Sequence, residues 1–202
     1  MSRSTLWTVL LACAGLAALL VATEGARAFT SEGARRLEIA RNPRTLPSAL
    51  LDDATGVQLQ AEALRGAPLI VGFVYTYCGT ACPRLTQQLA ELQSAMAQLP
   101  RARTARLLSV SFDPERDTPA RLAEYAQHFG ADPERWRFAR ISDAGQLKRW
   151  LEVFGIVVIP DGLGGYEHNA ALHVVDARGR LVAIFEVSDV AGALAKVEEL
   201  TR

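Results

Sequence analysis

Two cysteines, Cys78 and Cys82, stand four positions apart, with Gly79, Thr80 and Ala81 between them and Pro83 directly after. A residue before proline avoids the α region, and proline suits the first turn of a helix. A helix is therefore expected to open at Pro83, with Cys82 just outside it and Cys78 in the preceding loop. Both sulfurs would then lie at a helix N-terminus, whose unpaired N–H groups and positive partial charge favour thiolate over thiol. Thiolates serve disulfide exchange and the binding of soft metals. A C-x-x-C pair favours cycling through a disulfide, whereas three intervening residues give slack that suits chelation. Two thiolates and one imidazole would favour monovalent copper, at a coordination number low enough to leave room for ligand exchange.

The chain holds three histidines from which a third ligand could come: His128, His168 and His173. His128 falls late in an expected helix and reads as a surface or helix-end residue. His173 falls inside an expected strand, on the opposite face from Leu172, and reads as structural. His168 ends the loop that follows Asp161-Gly162-Leu163-Gly164-Gly165, where a ligand that must reach and release a metal is best carried.

The elements that must position these residues are legible in the hydrophobic pattern. Leu69 to Tyr75 is a nearly continuous apolar run, as a central strand covered on both faces requires. Beyond Pro83, Leu85, Leu89, Leu92, Met96 and Leu99 mark one apolar helical face that ends at Pro100. A strand over Ala105 to Phe112 leads to a helix capped by Thr118 with Pro119 in its first turn. A strand over Trp136 to Ile141 leads to a helix capped by Ser142. Leu172 to Asp176 and Leu181 to Val187 flank Ala177-Arg178-Gly179-Arg180 as a hairpin, and a last helix carries Val190, Leu194, Val197 and Leu200. Earlier, Leu50 to Leu59 reads as two short strands around a turn. Repeated β-α units followed by a hairpin and a helix imply an α/β fold, with a mixed central sheet and helices on both faces.

The N-terminus has a different character. Leu6 to Ala22 carries no charge after a short start with Arg3, and Ala26-Arg27-Ala28 offers a small-residue cleavage site. Residues 1–28 are thus expected to be a signal peptide or a membrane anchor, with Leu10-Leu11-Ala12-Cys13 as a weaker lipidation motif. Residues 29–47, Arg-rich and broken by Pro43 and Pro47, read as a linker or short surface helix, and 48–202 as the folded domain. Either reading of the leader places the domain outside the cytoplasm, in the periplasm or on the periplasmic face of the inner membrane. There, a lone cysteine pair is expected to form a disulfide or hold a metal. Half of the 202 residues are apolar, 22 basic residues balance 22 acidic ones, and no basic stripe is present, so nucleic acid is excluded as a partner.

Three blocks together are similar to the signatures of the Sco/SenC family. They are Thr76-Tyr77-Cys78-Gly79-Thr80-Ala81-Cys82-Pro83, Ser111 to Pro119 with Asp113 and Asp117, and His168-Asn169-Ala170-Ala171-Leu172 followed by Asp176 and Gly179. The resemblance covers Ser48 to the C-terminus. It implies a thioredoxin-like fold and copper held by Cys78, Cys82 and His168. It also implies a role in building the dinuclear copper centre of cytochrome c oxidase, with the copper-bearing subunit and a copper donor protein as partners. The chain departs from the family at Gly79, where proline is common, and at His173, where an aromatic is commoner; neither change removes a ligand.

Asp113 and Asp117 have two readings. Asp-Pro and Asp-Thr-Pro are ordinary turn and helix-start chemistry, and a carboxylate at a strand exit can also orient a ligating histidine. Tyr75 and Tyr77 read as strand packing. Besides copper delivery, the pair supports a thiol-disulfide oxidoreductase acting on an oxidase subunit or another exported protein. A plain stabilising disulfide is the bland alternative, and closing so short a loop constrains the unfolded chain only weakly. A peroxidase of the same fold fits poorly, given Pro83 and the close second cysteine.

Overall fold

The computed structural model describes residues 3–22, 30–79 and 81–202. They fall into two units, Met1–Asn42 and Pro43–Arg202. The first holds two helices, α1 (Arg3–Ala22) and α2 (Ser31–Arg41). On α1 large apolar side chains, among them Trp7, Leu11 and Val21, are exposed. Among the described residues no helix is long and apolar enough to cross a membrane. The expected cleavage site Ala26-Arg27-Ala28 lies outside the described residues. α2 opens on Thr30, whose hydroxyl accepts from the Gly33 N–H at 3.0 Å.

The second unit is built on an eight-stranded sheet. In chain order its strands and helices begin with β1 (Arg44–Thr45), β2 (Leu50–Asp53), β3 (Gln58–Gln60) and β4 (Leu69–Val74). There follow α3 (Ala81–Gln98), β5 (Arg106–Ser111), α4 (Pro119–His128), β6 (Trp136–Arg140) and α5 (Ala144–Phe154). A small hairpin, β7 (Val158–Pro160) and β8 (Tyr166–His168), precedes β9 (Leu172–Val175), β10 (Arg180–Phe185) and α6 (Val190–Leu200). The strands of the main sheet lie in the order β1-β10-β9-β4-β5-β6-β2-β3, and β7 and β8 form a separate two-stranded sheet. β4, β5 and β6 run parallel and the other pairings are antiparallel, so the sheet is mixed as expected. The sheet also reaches back past Ser48, because Arg44 and Thr45 pair with Leu181 and Arg180.

Every residue of β4 is buried, as its unbroken apolar run requires. Alternate residues face opposite layers. On one side a Cβ at Gly72 would meet Leu89 Cδ1 at 2.9 Å and Leu85 Cδ2 at 3.4 Å, so α3 rests directly on the strand there. On the other side Phe73 meets Phe154 of α5 edge-on, with ring centroids 5.0 Å apart. α4 joins the α3 layer, where Tyr125 contacts both Thr86 and Phe138. α6 packs on β9 and β10 beside α3. Helices therefore cover both faces.

The helix ends show how local chemistry sets boundaries. Thr118 caps α4 by accepting from the Arg121 N–H, with Pro119 in the first turn as expected. α5 is capped by Asp143 rather than Ser142: the Asp143 carboxylate accepts from the Gln146 N–H at 2.7 Å, while the Ser142 hydroxyl donates to Asp52. A carboxylate at the N-cap adds charge to the same hydrogen bond, which a hydroxyl one residue earlier cannot match.

Candidate metal centre

β4 runs into Tyr75 and Thr76 and delivers the cysteines at the parallel strands' C-terminal ends, where open α/β sheets form their ligand crevices. α3 begins at Ala81, two residues before the expected start, so Cys82 lies inside the first turn. Its side chain is 0% exposed. Cys78 is half-buried, and its Sγ accepts from the Cys82 N–H at 3.3 Å. No disulfide joins the two sulfurs. Burial pushes the Cys82 thiol well above its ordinary pKa, and the neighbouring Cys78 adds to the shift. At Cys82, burial opposes the thiolate-favouring effect expected of the helix N-terminus.

His168 is carried not by an irregular loop but by the short strand β8. Its Nε2 lies 3.3 Å from Cys82 Sγ. Its Nδ1 sits 3.2 Å from the Asn169 carbonyl oxygen, which fits a proton on Nδ1 and leaves Nε2 as the free donor atom. Burial lowers the imidazole pKa, with the Asn169 carbonyl opposing, so the ring is neutral at physiological pH. The ring packs on Phe112 at 4.8 Å between centroids and faces Tyr75 at 6.3 Å. Asn169 fixes the strand exit: its side chain accepts from the Val157 N–H at 2.7 Å and donates to the Gly155 carbonyl at 2.9 Å.

Cys78 and His168 line one open cleft of about 660 Å³ together with Tyr77, Asp161, Leu163 and Tyr166. Tyr77 is 64% exposed and Leu163 90%, so the cleft is accessible, with Asp161 and Glu167 adding polar groups to its lining. Among the described residues no three His, Cys, Asp or Glu side chains already converge as a finished metal cage. The three sequence candidates share one neighbourhood, with Cys82 and His168 in direct contact and Cys78 at the open side. Two donors bound to one ion at about 2.0 and 2.3 Å and a tetrahedral angle lie about 3.5 Å apart, as zinc sites illustrate. The contact between Cys82 and His168 matches that span.

The two carboxylates do not touch the histidine. Asp117, fully buried, accepts from the Thr76 N–H, the Thr76 hydroxyl at 2.6 Å and the Ser111 hydroxyl. It ties the start of the cysteine loop to the end of β5. Asp113 pairs with Arg116 and accepts from no histidine. Arg116 in turn donates to the Gly164 carbonyl and lies 5.3 Å from the ring centroids of both Tyr77 and Tyr166. Of the two readings, turn and scaffold chemistry is the one these partners support. His128 ends α4 at the surface. His173 is fully buried, with Phe73 and Phe154 edge-on around it and Nδ1 3.1 Å from the Val71 carbonyl oxygen.

Residues 42–202 match the family model described as SCO1/SenC. The chain belongs to the SCO1/SenC family. A SCO1 protein homolog of Bacillus subtilis is 26% identical over 129 residues, which is 63% of this chain and 66% of that relative, just short of two thirds of its length. The copper-bound ScoI structure of Bradyrhizobium japonicum is 25% identical, with a TM-score of 0.65, covering 77% of this chain and 99% of that one. A SCO1/SenC family lipoprotein of Bacillus anthracis gives a TM-score of 0.72 at 21% identity, covering 80% of this chain and 99% of its own. The thioredoxin-like fold inferred from the sequence is therefore the fold of this SCO1/SenC protein.

Proposed function

We propose that this SCO1/SenC protein is a copper metallochaperone that holds the ion through Cys78, Cys82 and His168. The observation that carries the reading is the 3.3 Å contact between Cys82 Sγ and His168 Nε2, two soft donors brought together from positions 86 residues apart beside a second sulfur. The donor set suits monovalent copper, which takes few ligands and prefers thiolate and imidazole. The copper held by the Bradyrhizobium relative supports the same cargo here. Copper binding displaces the thiol protons, and the neutral imidazole is ready to bind without losing one. Family membership supports delivery to the copper-bearing subunit of cytochrome c oxidase, after loading by a separate donor. The uncharged run Leu6 to Ala22 supports an exported domain, tethered at the periplasmic face of the membrane or released by cleavage.

Titration of the reduced protein with cuprous ion tests this. One ion per chain should bind, and His168→Ala should weaken binding and stop transfer to a dinuclear-site acceptor. Binding that ignores residue 168 would defeat the proposal.

A second reading, thiol-disulfide exchange with an oxidase subunit or another exported protein, draws on the asymmetry of the pair. Cys78 faces the cleft while Cys82 is buried behind it, the arrangement of an attacking and a resolving thiol. The two activities separate at His168, which exchange does not need.

A further inference from the structure

Tyr75 reads from the sequence as strand packing, and its ring does pack, at 5.1 Å between centroids on Phe112. The residue is 4% exposed, at the wall of the cleft beside Cys78, and its hydroxyl also reaches across to backbone. It accepts from the Tyr166 N–H at 3.1 Å and donates to the Tyr166 carbonyl at 3.2 Å. Both bonds span 91 residues and end on the backbone of β8, two positions before His168.

The ladder of the small hairpin explains why those backbone groups are available. The Asp161 N–H donates to the Gly165 carbonyl at 3.1 Å and the Gly165 N–H to Asp161 Oδ1 at 2.9 Å, so 161 and 165 face each other at a bonded position across the turn. The next pair, Pro160 with Tyr166, is then of the non-bonded kind, whose N–H and C=O groups point away from the partner strand. Proline has no N–H to offer in any case. β8 therefore turns one donor and one acceptor outward, and a single hydroxyl satisfies both. Gly165 keeps the approach open, since a Cβ there would lie 3.2 Å from the Tyr75 hydroxyl and 2.6 Å from Asp161 Oδ2.

The period of the strand carries this anchor to the metal site. Tyr166 and His168 fall on the same face of β8, and both rings rest on Phe112, at 5.9 and 4.8 Å. We propose that Tyr75 is a positioning residue for His168: its hydroxyl fixes β8 over the cysteine pair and thereby sets how long the metal is retained. Tyr75 also precedes the cysteine loop, where the Cys78 N–H donates to its carbonyl at 3.3 Å, so one residue braces both sides of the site. The claim about retention rests on the copper reading; the claim about position does not.

Tyr75→Phe keeps the ring and removes only the hydroxyl. In the metal-free full chain, amide hydrogen exchange at Tyr166 should quicken about tenfold, as loss of a buried hydrogen bond allows. The imidazole nitrogen resonances of His168 should move, while exchange at Leu108 in β5 stays as in the parent. With cuprous ion bound and bicinchoninate as the competing chelator, release should speed up, by less than in His168→Ala. Tyr75→Phe added to His168→Ala should change nothing further, because a positioning residue acts through the group it positions. Unchanged Tyr166 exchange and His168 signals would overturn the proposal, as would additive effects on release or equal acceleration at Leu108. If the parent protein takes up no cuprous ion, the copper reading falls, and the metal-free measurements still decide the position of His168.

Discussion

The two sides of the candidate metal site are built in different ways. On the sulfur side, Cys82 is fully buried in the first turn of α3, a helix seated against the central strand β4. The loop before it is tied to β5 through Asp117. On the histidine side, His168 sits on a two-stranded sheet separate from the main one, with Ile159 56% and Leu163 90% exposed along its rim. That hairpin is held by the Tyr75 hydroxyl, by Asn169 and by Arg116 bridging to the Gly164 carbonyl. The core-mounted side is held by a helix seated on the central strand; the hairpin side is held by a few hydrogen bonds and by the packing of Tyr166 and His168 on Phe112. Such a division would let one half of the proposed ligand set stay in place while the other adjusts to the ion.

The contrast can be broken most completely at the sulfurs. Cys82→Ser leaves a hard hydroxyl where a soft thiolate is needed, and cuprous binding should be lost, measured as metal content after desalting. His168→Ala should weaken binding by roughly a hundredfold, at the upper end of what disturbing a ligand's support costs, while dithiol reduction is largely spared. A chelator competition beside an assay of disulfide exchange reads both, and equal loss of the two activities would erase the distinction between the sides.

Acidity sharpens the same comparison. The folded pKa of Cys82 is raised, so the metal-free thiol holds its proton through neutral pH and must release it on binding. Copper affinity should therefore rise about tenfold per pH unit for each proton released, from pH 6 upward. The folded pKa of His168 is lowered, so the imidazole adds its own proton competition only at pH values below its ordinary range. Binding curves from pH 5 to 8 should steepen at the acid end, and a flat profile would contradict the buried thiol.

Asp117→Ala removes one buried acceptor, leaving the Thr76 N–H without it and the Thr76 and Ser111 hydroxyls only the bonds they accept from Arg121 and Asp113, which should cost about 2 to 3 kcal/mol of stability in thermal melts. Arg116→Ala should do least: its pair with Asp113 is partly exposed, so the melting temperature should barely move, and only loss of the Gly164 tie should register, as a modest rise in copper release. A stability loss at Arg116 matching that at Asp117 would place the hairpin with the rigid half.

Most of the frame was legible in the sequence because each element repeats one pattern over many residues. The apolar run at β4, the helical spacing of Leu85, Leu89 and Leu92, and Thr118-Pro119 all state their structure locally. β7 and β8 were not legible, because three-residue strands between glycines leave no period to read. The burial of Cys82 was hidden for another reason. Whether a helix N-terminus helps a thiolate depends on what covers the sulfur, and that cover comes from distant elements. Tyr75 was read as packing, since nothing in a strand's sequence shows that a hydroxyl will meet a backbone 91 residues away. Asp113 and Asp117 carried a signal strong enough to single them out, and only their partners assign them to scaffolding.

Gly72 bears on the site from one helical turn beneath it. A methyl group at this position would meet Leu89 and Leu85, and Leu85 lies three residues beyond Cys82 on the same helix. The bare backbone at residue 72 thus works as a depth gauge, letting α3 settle onto the sheet far enough to bring its first-turn sulfur within reach of the imidazole. A single hydrogen in place of a side chain, in a strand buried along its whole length, helps set the gap that a metal ion would bridge.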